Sequence, residues 1–328
     1  MRDALSKVQD PVIFNDWHVV ARSSDLNEGG LASARVLGEN LLLWKNNGKI
    51  SVWRDLCVHR GTKLSLGSVR DGLLTCAYHG WMYDSEGRCI GFPAHSHQTP
   101  PPTAHVKTYV SSEKYGMVWV CLGSPSKDIP NFDEWDDMSY RKIFCGPYVY
   151  NASGTRAMEN FLDVAHFPFV HAGLLGDEAH TEIEDYKVET TDDGIIARNV
   201  IVWQPNPDGS GKGQLVNYTY RVMRPFTAYL SKRTSEGVFA IQLNVTPVEE
   251  TKCIAWMCIA VNYGKNIKDS EYREFQDKIT GQDVPIVESQ RPELLPLDLQ
   301  AELHLRSDRI AIAYRKWLKK LGLSFGTS

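Results

Sequence analysis

The spacing of apolar positions changes character along this chain. Across residues 13–125, short apolar runs such as Leu41-Leu42-Leu43-Trp44 and Met117-Val118-Trp119-Val120 alternate with Asn-Asn-Gly, Asp-Gly and Glu-Gly turn signals. Short runs bounded by turn residues predict strands, so this part reads as an all-β module. Residues 93–102, with several Pro and His, read as a surface loop. Residues 124–146, with Pro125, Pro130 and a run of acids, read as a linker. Past Pro147 the pattern predicts a helix over 155–167. Strand-like runs follow at 185–188, 194–203, 215–223, 228–232, 238–247 and 252–262. The tail from 270 to 321 turns helical, most clearly at 301–305 and 310–318. Strands followed by packed helices predict an α+β domain with a curved antiparallel sheet. The expected division is 13–125 and 126–328.

With 328 residues, the chain has room for two cores. Its net charge of −4 offers no basic footprint, so a nucleic-acid partner is not expected. Residues 1–11 are polar and lack a signal-like core. No stretch approaches ~18 unbroken apolar residues, so no membrane span is expected either. Cys89, Cys121, Cys145, Cys253 and Cys258 show no paired spacing. They read as buried thiols in a reducing, cytoplasmic setting.

Two other cysteines do pair with histidines. Cys57-Val58-His59 and Cys76-Ala77-Tyr78-His79 lie beside turn residues, with sixteen residues between them. Two thiolates and two imidazoles suit a single zinc, or a [2Fe-2S] cluster with Cys on one iron and His on the other. Zinc sites favour shorter knuckle spacings. Gly61 follows the first pair and Gly80-Trp81 the second, which gives the Rieske pattern C-x-H…C-x2-H. In that reading Cys57 and Cys76 hold the inner iron and His59 and His79 the outer one. Neutral imidazole in place of thiolate raises the cluster potential.

A second set of ligand types lies at 159–171. On a helix, Asn160, Asp163 and His166 share one side. An unbroken helix would place His171 about 140° from His166. Pro168 disfavours helix at Phe167, and a turn there lets the two imidazoles converge. Two His and one carboxylate on one face of a metal form the mononuclear iron(II) site that activates oxygen. Asp283 is the expected carboxylate, because Gly281 and Pro285 bracket it and the backbone can break there. Asp277, Asp298 and Asp308 compete, with Asp308 expected to pair with nearby basic residues.

These residues together resemble the Rieske non-haem iron oxygenases, specifically the oxygenase (α) subunit. The resemblance covers nearly the whole chain: the cluster pairs, the 160–171 stretch, the Gln-Asp to Glu-Ser-Gln segment at 282–290, and the closing 307–318. Within the family the chain resembles the vanillate and dicamba O-demethylases, the caffeine-type N-demethylases and the saxitoxin-pathway hydroxylases. Phrases at 17–22, 90–95 and 132–137 look most like the last group. Respiratory-type clusters carry a disulfide where this chain has Thr62 and Tyr78, and often Ser where it has Trp81. The resemblance therefore implies the lower-potential oxygenase subtype.

It further implies a START-like, helix-grip catalytic domain and a head-to-tail homotrimer. Asp163 would bridge the His79 ring of one subunit and a His ligand of the next, and Asn160 would line the iron site. The implied reaction uses O2 and electrons from NAD(P)H, delivered by a separate ferredoxin or flavin reductase. It hydroxylates a C–H bond of a small heterocyclic or alkaloid substrate. The chain has no G-x-G-x-x-G fingerprint of its own. N- or O-demethylation with release of formaldehyde is the alternative. Arene cis-dihydroxylation fits less well, since those α-chains are usually longer. A bare electron carrier would not need the second domain. The pocket is expected between the sheet of 199–262 and the ligand-bearing helix.

Overall fold

The structure, a computed structural model, describes residues 10–328; the polar start at residues 1–9 lies outside them. Its contacts divide the chain between Ile129 and Pro130.

In the first unit, α1 (Pro11–Phe14) precedes ten strands. These are β1 (His18–Arg22), β2 (Leu31–Val36), β3 (Glu39–Asn46), β4 (Lys49–Arg54), β5 (Ser68–Arg70), β6 (Leu73–Thr75), β7 (Met82–Tyr83), β8 (Cys89–Gly91), β9 (Thr108–Lys114) and β10 (Met117–Cys121). Six form an antiparallel sheet in the order β1-β10-β9-β4-β3-β2, and β5 to β8 form a smaller one. Every residue of β10 is buried, which is why it reads as an unbroken apolar run. Trp44 and Trp53 meet edge to face at 5.0 Å in a core shared with Leu64, Leu74 and Tyr83. Each such fully buried side chain contributes about 1.5–3 kcal/mol. The 93–102 stretch is largely exposed, as a surface loop should be.

The second unit opens with α2 (Asp133–Asp136) and β11 (Arg141–Tyr150). The last residues of the expected linker are therefore strand. Ile143 and Cys145 alternate inward, but the acids and prolines around them mask that period. There follow α3 (Gly154–Leu162), α4 (Phe167–Val170), β12 (Lys187–Thr191), β13 (Gly194–Gln204), β14 (Gln214–Arg224), β15 (Thr227–Arg233), β16 (Val238–Glu249), β17 (Lys252–Val261), α5 (Asp269–Ser289) and α6 (Arg309–Leu321). Seven strands form one antiparallel sheet, β11-β17-β16-β15-β14-β13-β12. Bulges interrupt four of its pairings and bend it.

Register explains the sheet's working face. Tyr220, Leu230, Ile241 and Ile259 stand opposite one another, and Val222, Ala228, Leu243 and Met257 form the next row. Residues two apart share a face, so the rows make one apolar surface. One stripe of α5, Tyr272–Phe275–Gln276–Ile279–Asp283 at three- and four-residue spacing, faces the same space. So do Ala157, Asn160 and Phe161 of α3. Together they enclose a cavity of about 380 Å³ where the pocket was expected.

One helical expectation of the tail fails. Residues 301–305 are irregular, not helical, and Leu303 and Leu305 are exposed. Their neighbour Glu302 explains the conformation. Arg315 on α6 bonds Glu302 at 2.6 Å and grips Glu159 on α3 through two bonds of 2.6 and 2.7 Å. Arg156 on α3 bonds Glu302 at 2.8 Å. This network ties α3 to α6 through the loop. All seven cysteines are buried. Among the described residues no helix is long and apolar enough to cross a membrane.

Candidate active site

The cysteine–histidine pairs occupy two loops of the same build, one following β4 and the other joining β6 to β7. In the first, Cys57 N donates to Thr62 O at 2.8 Å and Gly61 N to Cys57 O at 2.9 Å. In the second, Cys76 N donates to Trp81 O at 2.8 Å and Gly80 N to Cys76 O at 3.0 Å. Closing each loop needs φ of +73° at Gly61 and +69° at Gly80, a region side chains rarely adopt. This is why glycine follows each pair.

Cys57 and Cys76 are buried, while His79 is exposed. The His59 ring lies 4.6 Å from that of His79 and stacks on Trp81 at 4.5 Å. His59 Nδ1 is buried with no hydrogen-bond partner. An orphaned polar atom costs about 1–3 kcal/mol unless something else binds it. Two buried thiols and an imidazole nitrogen awaiting a ligand fit a cluster with Cys inside and His outside. Tyr83, which sequence reasoning passed over, places its hydroxyl 3.2 Å from Cys57 Sγ. Burial and the nearby Cys57 thiol push that hydroxyl up, so it stays protonated and can donate to the sulfur.

In the second unit, Ser153 caps α3, its Oγ accepting from Arg156 N at 3.3 Å. The helix was expected to run to 167 with Asp163 and His166 on it. It stops at Leu162 instead. Asp163 is extended, and its carboxylate accepts from Ala165 N at 3.0 Å and His166 N at 3.2 Å. A short acid that bonds its own downstream amides competes with the helix and ends it. Pro168 does not make the turn; it sits in the first turn of α4, where proline is tolerated. The reversal at 163–166 brings the imidazoles together.

His166 Nε2 and His171 Nε2 are 3.2 Å apart, and Asp283 Oδ1 lies 3.5 and 3.1 Å from them. His166 Nδ1 donates to Asp163 Oδ2 at 2.7 Å and His171 Nδ1 to Gln282 Oε1 at 2.9 Å. Both outer nitrogens thus carry the proton, which leaves the two Nε2 lone pairs aimed inward. Without an ion, only a second proton on an imidazole relieves the crowding. Burial pushes His171 down, but its bonds to Asp283 and Gln282 outweigh this and raise it. A divalent cation neutralises all three donors at once. Separations near 3 Å are what ligands about 2.1 Å from one ion produce, so the set fits a mononuclear metal. Burial pushes Asp163 up, yet the bonds from His166 and the two amides hold it below the usual carboxylate range.

Asp283 reaches this point without any break in the backbone. α5 continues through Gly281 and Pro285 to Ser289. Pro285 cannot donate to the carbonyl of Gly281, so the helix runs on with that one bond missing. Asn160 Nδ2 donates to Asp283 Oδ1 at 3.3 Å, so it steadies the carboxylate. Asp277 accepts from Tyr148, and Asp298 bonds the amide of Gln300. Asp308 bonds Leu305 N and Ser307 Oγ rather than a basic residue. Gln282 was overlooked, although it adjoins the acid.

Residues 16–110 match the Rieske [2Fe-2S] domain, and residues 150–324 match the vanillate O-demethylase oxygenase C-terminal domain. The chain belongs to the Rieske non-haem iron oxygenases. This Rieske oxygenase is 30% identical to methylxanthine N1-demethylase NdmA of Pseudomonas putida, over 98% of its own length and 92% of that protein. It superposes on the structure of Pseudomonas putida NdmA with caffeine at a TM-score of 0.83 and 28% identity, covering 94% of this chain and 90% of that one. The oxidoreductase NdmD of Pseudomonas putida is 38% identical over 113 residues, 34% of this chain and 19% of that protein. The chain is a terminal oxygenase with a Rieske cluster and mononuclear iron, and it draws electrons from a separate oxidoreductase to act on a small molecule.

Proposed function

We propose that this oxygenase hydroxylates a C–H bond of a small planar substrate, heterocyclic or alkaloid in class, held in the 380 Å³ cavity. One observation carries the reading: His166, His171 and Asp283 bring their donor atoms within 4.8 Å of one another at the wall of that cavity. When bound, the cluster supplies single electrons and the iron supplies the oxidising chemistry with O2. The remaining work belongs to side chains. The apolar rows hold the substrate and exclude water. Tyr218 and Tyr220, stacked at 5.9 Å, offer a flat wall to a ring. Asp163 fixes the tautomer of His166, and Gln282 that of His171.

The exposed His79 ring and the partly exposed Asp163 carboxylate support a head-to-tail homotrimer. There His79 of one subunit would bond Asp163 of the next. The buried cysteines support a reducing, cytoplasmic setting.

Near-full-length likeness to a methylxanthine N-demethylase favours a second outcome of the same chemistry. If the hydroxylated carbon is an N- or O-methyl, its bond to nitrogen or oxygen breaks and formaldehyde leaves. The test is a reductase-coupled assay with NADH, O2 and a panel of methylxanthines and aromatic methyl ethers, following formaldehyde and oxygenated product. Formaldehyde matched to dealkylated product assigns demethylation, and an alcohol without formaldehyde assigns hydroxylation. No product from any member, with both metals present, contradicts the reading.

A further inference from the structure

One residue breaks the apolar pattern of the cavity face. β15 sends Ala228, Leu230 and Lys232 to the same side of the sheet. Lys232 stands in register between Tyr218 and Phe239, where alternation calls for an apolar side chain. It lines the cavity. A sequence departs from its own binary pattern most often at functional sites.

The ammonium has an incomplete set of partners. Lys232 Nζ donates to Pro207 O at 2.7 Å and Gln204 Oε1 at 3.4 Å, and lies 5.3 Å from the centre of the Phe239 ring. An ammonium has three N–H groups, and two oxygens leave one for a ligand. The acid that acts on it, Asp208, is occupied within its own loop by Ser210 N at 2.9 Å and Gln214 Nε2 at 2.6 Å. A buried ammonium whose acid neighbour is spent on its own loop is costly unless a ligand completes its bonds.

Position defines the ligand further. The Phe239 ring lies 6.4 Å from that of Tyr272, on the early part of α5, whereas Asp283 stands on the late part. The stretch of helix from Tyr272 to Asp283 spans about 16 Å. A molecule touching both ends is elongated.

We propose that Lys232 is a specificity-determining contact that binds an anionic oxygen, such as a carboxylate, at one end of an elongated planar substrate whose oxidised carbon lies at the His166–His171–Asp283 end. The proposal rests on the oxygenase reading of that centre. Charged and titratable groups lining the same part of the cavity are Asp208, Tyr218, Tyr263, Glu271 and Tyr272. Burial pushes the three tyrosines up. It also pushes Asp208 up, but its bonds to Ser210 and Gln214 hold it low. Burial lowers Lys232 to about 8, against the pull of Asp208. Its charge, and with it the anion contact, is lost as pH rises through that value.

The test is a fluorescence titration of the anaerobic holoenzyme with 6-methoxy-2-naphthoate and 6-methoxy-2-naphthalenemethanol, two probes of like shape that differ in charge. The wild type should bind the acid at least about tenfold more tightly than the alcohol. Lys232→Met should erase the difference, Lys232→Arg should keep most of it, and cluster absorbance confirms that both fold. Raising the pH from 7 to 9.5 should weaken the acid in the wild type alone. Equal affinities in the wild type, a preference that survives Lys232→Met, or failure of both probes to bind overturns the proposal. A preference of the expected kind in a protein that gives no product from the methylxanthine and methyl ether panel contradicts the proposed reaction and leaves the lysine contact standing.

Discussion

At the residue scale, chemistry at both centres is set by hydrogen bonds to the ligands. Tyr83 lies in bonding reach of Cys57 Sγ, which would hold the cluster, and a bond donated to such a sulfur favours the reduced, more negative state. Tyr83→Phe should lower the cluster potential by about 40 mV, the one-electron equivalent of ~1 kcal/mol, in a spectroelectrochemical titration. An unchanged potential removes that role. The six Cys and His ligand candidates were legible because few residue types bind iron and their spacing is short. Tyr83, Gln282 and Lys232 were not, because each acts only through a partner 26, 111 or 28 positions away. Lys232 left one trace, a charge where the period-two pattern of β15 calls for an apolar residue.

At the element scale, α3 must hold its register for Asn160 and the following ligands to meet Asp283. The Arg156–Glu302–Arg315–Glu159 network performs this, with both arginines almost wholly buried. Arg315→Met leaves the partly buried Glu159 and Glu302 carboxylates short of charge and should cost about 3 kcal/mol in denaturant unfolding. Glu302 adds a pH dependence. Burial pushes it up, but its bonds to Arg156 and Arg315 outweigh this and hold it below its ordinary 4.5. Its folded pKa is depressed, so its contribution is present above pH 4.5 and lost as pH falls through the folded value. Glu302→Gln should flatten that acid limb of the stability curve. An identical limb in the variant shows that other carboxylates produce it. The strands from β12 to β17 were legible to within a few residues from apolar alternation, whereas β11 fell largely in the expected linker. Helix ends were not legible: a side-chain bond of Asp163 ends α3, and α5 runs through Gly281 and Pro285 where a break was expected.

At the scale of the molecule, the change of apolar period near Pro147 separates an all-β unit from a sheet with helices. The fold class was legible for that reason. The boundary lies ahead of that change, between Ile129 and Pro130 and just past the expected division after residue 125, because β11 belongs to the second sheet. Each unit presents one candidate iron centre, and each centre is built from its own short segments. The two should therefore be separable by mutation. Iron analysis of His166→Ala beside the wild type, with cluster absorbance recorded on both, tests this most directly. About three iron atoms per chain in the wild type and about two in the variant, with an unchanged cluster spectrum, is the predicted result. Equal iron in both proteins, or zinc at either centre in freshly isolated wild type, contradicts it.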